Sequence, residues 1–313
     1  MSGPPSLQDL ITAVNQVAGN FSAAESRACF RDPVIIVSAP RAGSTLLFEL
    51  MSQAKGLWTV GGESHPVFMT QPHLRAENAS FDSGRLTKAH AEGETAHKIR
   101  AGFLTLLVDR DRKRYMTMDP SARPSAFRFL EKTPRNALNI PFLCEVFPDA
   151  RFIFLHRDPR ENIASIMEAW TAGRQGGFVT FPGLSGWKRG DWCLLLPPGW
   201  RELNDASIAE IAAFQWRRSN EIILDDLQNL PDSHWMSLSY SDLIASPKAS
   251  MERICGFCDL SIDDRLAGLV AERLPLSSTT MTPPDPDKWR KHEAEIMAVL
   301  PTLGSLISRL EIA

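Results

Sequence analysis

The sequence predicts an α/β protein: a central parallel sheet of about five strands with helices on both faces. Two observations predict it. The strand-like segments are short and continuously apolar rather than alternating, and helical patterns fill the stretches between them. A strand buried on both faces reads as an unbroken apolar run, and parallel pairing demands a crossover between strands. "PVIIVSA" (33–39), "ARFIFLHR" (150–157) and "HWMSLSY" (234–240) are the clearest strands. "GLWTVGG" (56–62) and "AFRFLEK" (126–132) are weaker ones. In chain order, "STLLFELMSQ" (44–53) is the helix after the first strand, and "RNALNIPFLCEVF" (135–147) leads into the strand at 150. "PRENIASIMEAW" (159–170) leaves that strand, and 207–227 is the longest helical pattern.

Residues 171–204 break the rhythm, being dense in Gly, Pro and Trp and too long for a plain connector. They read either as a lid over a site or as a packed surface excursion, and the tryptophans argue against disorder. The 313 residues can bury a sizeable core and are read as a single domain, with its centre at about 33–260. A hydrophobic content of 43% and a charged content of 23% are ordinary for a soluble globular chain. A net charge of −3 gives no support to a nucleic-acid binder. Five scattered cysteines fit reduced thiols better than a disulfide framework. Cys255 and Cys258 lie in an apolar helical stretch with no second pair at zinc spacing, so they read as packing. The chain start lacks the basic and apolar regions of a secretion signal, and no apolar run is long enough to span a bilayer. The expectation is a cytoplasmic protein.

The chemistry begins at "SAPRAGST" (38–45), which ends the first strand and opens a helix. Ligands of open parallel sheets sit beyond the carboxyl ends of the strands. Gly43 allows close backbone approach, and Ala42, Ser44 and Thr45 bring N–H groups and hydroxyls to the helix N-terminus, where an anion is favoured. Arg41 adds the cation of the turn. The segment is P-loop-like, but Ser38 and Ser44 replace the first glycine and the lysine of the nucleotide triphosphate loop. A second anion position is suggested by Arg157 at a strand end and Ser165 eight residues on, within the next helix. An arginine fork and a hydroxyl suit a separate phosphate. Two such positions on two strands point to a nucleotide phosphorylated at two places. The weaker reading of Arg157 is a surface ion pair with Asp158 or Glu161.

These motifs resemble those of the sulfotransferases that use 3′-phosphoadenosine 5′-phosphosulfate (PAPS). "APRAGST" is similar to their 5′-phosphosulfate loop, and "RDPRENIAS" to their 3′-phosphate motif, with Arg157 and Ser165 at the matching positions. "LSYSDLIASP" (238–247) resembles a third family segment, which brings Tyr240 to the donor. The likeness runs from about 33 to 260 and lies nearer the bacterial and tyrosylprotein-type members. It implies sulfuryl transfer from PAPS to a hydroxyl acceptor, with PAP as product. Sulfuryl transfer needs a base, charge on the equatorial oxygens and charge on the leaving phosphate. It implies no metal, and the sequence offers no ligand cluster.

Glu63, in "TVGGESHPVF", stands where tyrosylprotein-type members place an acidic base; His65 is the rival. The family's K-x-P segment aims its lysine at the transferring group, which implies Lys132 in "FLEKTPRNAL" beside Arg41, with Arg135 close behind. Glu131, Thr133 and Asn136 could instead only cap the following helix. Ser277, Ser278 and a basic group in "DKWRKH" (287–292) resemble the family's C-terminal donor contacts. The basic run "RDRKRY" (110–115) reads as solvated, or as a rim for an acidic acceptor. The Trp-rich 171–204 suggests an apolar or aromatic wall, hence a small-molecule or carrier-linked hydroxyl rather than a sugar or a peptide tyrosine. The opposing classes are a kinase or NTPase with an atypical loop and a non-catalytic nucleotide-binding protein of the same fold.

Overall fold

The computed structural model describes residues 6–77, 82–271, 274–281 and 285–312. Its strands are β1 (Val34–Val37), β2 (Leu57–Thr59), β3 (Val108–Asp109), β4 (Arg128–Lys132), β5 (Arg151–His156), β6 (Val179–Phe181), β7 (Trp192–Cys193) and β8 (Trp235–Ser239). Six of them form one sheet in the order β3-β2-β4-β1-β5-β8. The five expected strands run parallel, and β3 adds an antiparallel edge on β2. β3 is two residues long and enters the run read as a solvated basic stretch. That run turns back at Arg112, pairs Arg110 with Asp263 and buries Tyr115 against Trp58. None of its residues lines the large cavity described below.

Alternation along β1 divides the core. Ile35 and Val37 face one side, with Phe129, Phe152, Phe154 and Trp216. Val34 and Ile36 face the other, with Leu130, Ile153, Leu155 and the helices Ser44–Met51 and Pro247–Phe257. Successive strand side chains point to opposite faces, so a strand covered on both sides must be apolar throughout. Cys255 and Cys258 are buried free thiols in that second core.

The helical pattern at 135–147 splits into a 3-10 turn, Pro134–Leu138, and a helix, Ile140–Val146. Pro141 explains the break, because its ring cannot continue a helix across the preceding turn. Ser207 and Glu210 form a capping box that starts the helix Ile208–Leu227. Residues 171–204 carry the antiparallel β6–β7 pair and a core of their own, in which Trp187, Trp192 and Trp200 meet edge to face at 4.9–6.3 Å. The rings are spent on one another. Among the described residues, no helix is long and apolar enough to cross a membrane.

Because β4, β1, β5 and β8 are parallel, their carboxyl ends lie along one edge of the sheet. Ile36 pairs with Lys132, Val37 with Phe154, and His156 with Ser239. The register therefore brings the turn after β1, Lys132, Arg157 and Tyr240 to a common edge.

Candidate active site

A cavity of about 1630 Å³ opens along that edge. Of the sequence-predicted residues, Arg41, Gly43, Ser44, Thr45, Glu63, His65, Arg157, Ser165, Tyr240 and Ser277 line it. Ala42 is fully buried behind the turn. Ser278 is turned away, its N–H and Oγ donating to Glu49. From the basic group at 287–292, Lys288 and Trp289 reach the cavity, and Lys288 pairs with Glu168 at 2.7 Å.

The turn is shaped for close contact. Gly43 has φ 102°, and a Cβ there would lie 2.4 Å from the Tyr240 ring. Arg41 sits at φ 64°, a left-handed conformation that costs a non-glycine residue roughly 1–2 kcal/mol. Its guanidinium donates to the Thr279 carbonyl at 3.3 Å and lies 4.9 Å from the Phe178 ring centre, while its buried Nε has no partner among the described residues. Burial, reinforced by the field of Arg157, holds the Arg41 pKa below its usual value. The helix Ser44–Met51 begins here, and its first N–H groups have no intrahelical acceptors. Asn162, which the sequence reading passed over, donates to the Pro40 carbonyl at 2.8 Å and ties the turn to the helix Pro159–Ala172.

Arg157 leaves β5 next to this turn. Its guanidinium lies 4.5 Å from the centre of the Tyr240 ring and bonds Glu161 at 2.7 and 2.9 Å. The ion pair with Glu161 and a place in the cavity wall therefore coexist. Ser165 lies in the same wall two turns along that helix. The chemistry of this set, two guanidinium groups, hydroxyls and free N–H groups, fits a ligand with two separated anionic groups.

On the other side of the turn, Lys132 is buried to 3% exposure. Its ammonium donates to Thr45 Oγ1 at 3.2 Å and to Glu63 Oε1 at 3.1 Å. His65 Nδ1 lies 3.8 Å from the other oxygen of Glu63 and has no hydrogen-bond partner among the described residues. Burial, then the field of Arg135, lowers the His65 pKa, so the ring is neutral near pH 7. His156 is half-buried beside Phe154 and does not line the cavity.

The turn holding Glu63 and His65 is fixed by residues read from sequence as possible caps. Ser64 N–H donates to Thr133 Oγ1 at 2.7 Å, and Ser64 Oγ donates to Glu131. Thr133 precedes the turn Pro134–Leu138 but makes no side-chain cap bond, and Asn136 accepts from Asn139 instead. Burial raises the pKa of Glu131. The signal for this network was present as polar residues flanking "EKT" in an apolar strand, but nothing local in the sequence names Ser64 as their partner.

Over residues 33–190 and 193–264 the sequence matches the sulfotransferase family. The chain belongs to that family. It is 22% identical over 235 residues to protein-tyrosine sulfotransferase A of Caenorhabditis elegans, covering 74% of this chain and 51% of that protein. The chain thus spans about half the length of that curated relative. Among solved structures it is similar to sulfotransferase STF1 from Mycobacterium tuberculosis, with a TM-score of 0.54 and 15% identity over 93% of this chain and 83% of that one. Sulfotransferase STF9 from Mycobacterium avium gives a TM-score of 0.50 and 18% identity, over 96% and 83%. At these identities the likeness to solved structures shows the fold. Family membership speaks against the kinase and NTPase alternative, whose loop lysine the turn lacks.

Proposed function

We propose that this chain moves the sulfuryl group of PAPS to a hydroxyl acceptor by in-line displacement and releases PAP. The observation that carries the reading is the unbroken chain Thr45–Lys132–Glu63, which links the anion-binding turn to a carboxylate at the cavity wall. Arg41, Gly43, Ser44 and Thr45 hold the 5′ end of the donor, and Arg157 and Ser165 hold its 3′-phosphate beside Tyr240. When bound, the donor supplies a sulfuryl group already attached to a good leaving phosphate. Glu63 takes the proton from the acceptor hydroxyl. Lys132, already at Thr45, meets the charge that builds on the transferring oxygens, and Arg41 meets that on the leaving phosphate. His65 is the alternative base, its neutral ring having an unpartnered nitrogen next to Glu63.

The wall that 171–204 gives the cavity is Phe178, Val179, Leu194 and Leu195 rather than the tryptophans, which pack into their own core, and this reading makes it the acceptor side. That wall favours a small organic or acyl hydroxyl, free or carrier-linked. The name of the C. elegans relative keeps a peptide tyrosine as the second reading, since the same wall suits a phenol ring. The five free cysteines, most of them buried, support a reducing, cytoplasmic setting.

Calorimetric titration tests the donor assignment. In a chelator, PAP is expected to bind at least roughly tenfold more tightly than ATP does with magnesium, since each extra charge-assisted phosphate contact has about that value. Turnover is expected to persist in the chelator. Tighter binding of magnesium-ATP, or activity restored only by magnesium, would return the kinase reading.

A further inference from the structure

Arg135 lies in the turn after β4 and lines the cavity beside Glu63 and His65. Its guanidinium is half-buried and lies 5.7 Å from the centre of the Phe181 ring, on the β6–β7 pair. Among the described residues it has no hydrogen-bond or ion-pair partner. Glu63 and Glu77 reach it only through their fields, and the Glu63 carboxylate is already bonded to Lys132. The donor-side arginines differ: Arg157 is held by Glu161, and Arg41 by the Thr279 carbonyl.

Position separates Arg135 from the donor. In the sheet, β4 lies between β2 and β1, whereas the donor groups leave β1, β5 and β8. Arg135 instead lies within the electrostatic reach of the candidate base Glu63 and of His65. A partly desolvated cation with no bonded counter-charge is a ready partner for an anion, and burial lowers the pKa of this one. Its planar fork matches two oxygens of a carboxylate or a phosphate.

We propose that Arg135 binds an anionic group, a carboxylate or a phosphate, carried by the acceptor near the hydroxyl that is sulfated; this rests on the sulfotransferase reading of the site. A neutral alcohol docked there would cover the guanidinium without pairing it, so it binds more weakly. Arg135 also offsets the repulsion that an anionic acceptor meets from Glu63.

The test uses matched probes on the PAP-loaded protein: 3-hydroxyoctanoate, its methyl ester and 3-hydroxyoctyl phosphate. By calorimetry, at least one anion is expected to bind roughly ten- to hundredfold more tightly than the ester, the range of a charge-assisted contact. Whichever anion leads identifies the group as carboxylate or phosphate. In Arg135→Gln the preference falls to near one, and Arg135→Lys keeps a smaller one. PAP affinity stays at the wild-type value in both variants, which also shows that the site is folded. Equal binding of the ester, no binding of either anion, or a preference that survives in Arg135→Gln overturns the assignment. With PAP bound normally, those outcomes leave the donor reading intact. A wild-type protein that fails to bind PAP overturns both.

Discussion

Glu63→Gln is expected to keep donor affinity near wild type while turnover falls by roughly two to four orders of magnitude, the usual contribution of a general base. Glutamine preserves the shape of the side chain, and its carbonyl oxygen can still accept from the Lys132 ammonium, now 3.1 Å from Glu63. What it loses is the capacity to take a proton. The turn itself does not depend on Glu63, because Ser64, Thr133 and Glu131 hold it. The buried Lys132 does lose its carboxylate counter-charge, so thermal stability should fall somewhat while donor binding shows that the site is still folded. The loss should shrink for acceptors with acidic hydroxyls, which need less help in deprotonation. His65→Asn is the companion measurement and should cost less. Near-normal turnover in Glu63→Gln would eliminate Glu63 as the base, and an inactive His65→Asn enzyme would hand the role to the histidine.

Arg157→Ala is expected to weaken PAP binding by roughly 1.5–3 kcal/mol, the scale of a charge-assisted contact. The ion pair with Glu161 adds a second cause. Removing the arginine leaves the Glu161 carboxylate in the cavity wall with no counter-charge, where it would repel the 3′-phosphate. The Tyr240 ring, stacked under the guanidinium and against Gly43, also loses its neighbour. The preference for PAP over its 3′-dephospho form should collapse in the variant. Calorimetry that finds this preference unchanged would show that the 3′-phosphate sits elsewhere. Glu161→Gln supplies the control, since relieving the repulsion should leave PAP binding as tight as wild type or tighter.

The parts of the fold and site that were legible in the sequence are those that parallel topology fixes. Once the apolar runs at 33–39, 126–132, 150–157 and 234–240 are read as parallel strands, their carboxyl ends must share an edge. That places Arg41, Lys132, Arg157 and Tyr240 on one edge, and the order β4-β1-β5-β8, which the sequence does not reveal, makes them neighbours. The illegible parts depend on contacts between distant residues. β3 is too short for a periodic signal and exists because Val108 and Asp109 find β2. Ser277 and Ser278 are neighbours of the same type, yet one lines the cavity and the other bonds Glu49. The tryptophans of 171–204 suggested a cavity wall, but their planar bulk is satisfied by one another, and Phe178 takes that place over Arg41. Glu131 and Thr133 looked like caps because carboxylates and hydroxyls near a helix start commonly are caps. Their partner, Ser64, is far away in the sequence.

Incubating the protein with sulfur-labelled PAPS, a hydroxyl acceptor panel that includes 3-hydroxyoctanoate and tyrosyl peptides, and a chelator measures the central claim directly. The account predicts that label appears on an acceptor hydroxyl, that PAP is released one for one with it, and that both rates fall together in Glu63→Gln by roughly two to four orders of magnitude. Label that remains on the nucleotide while PAP binds tightly would make the chain a non-catalytic binder. Label that appears only as inorganic sulfate would contradict transfer to an acceptor.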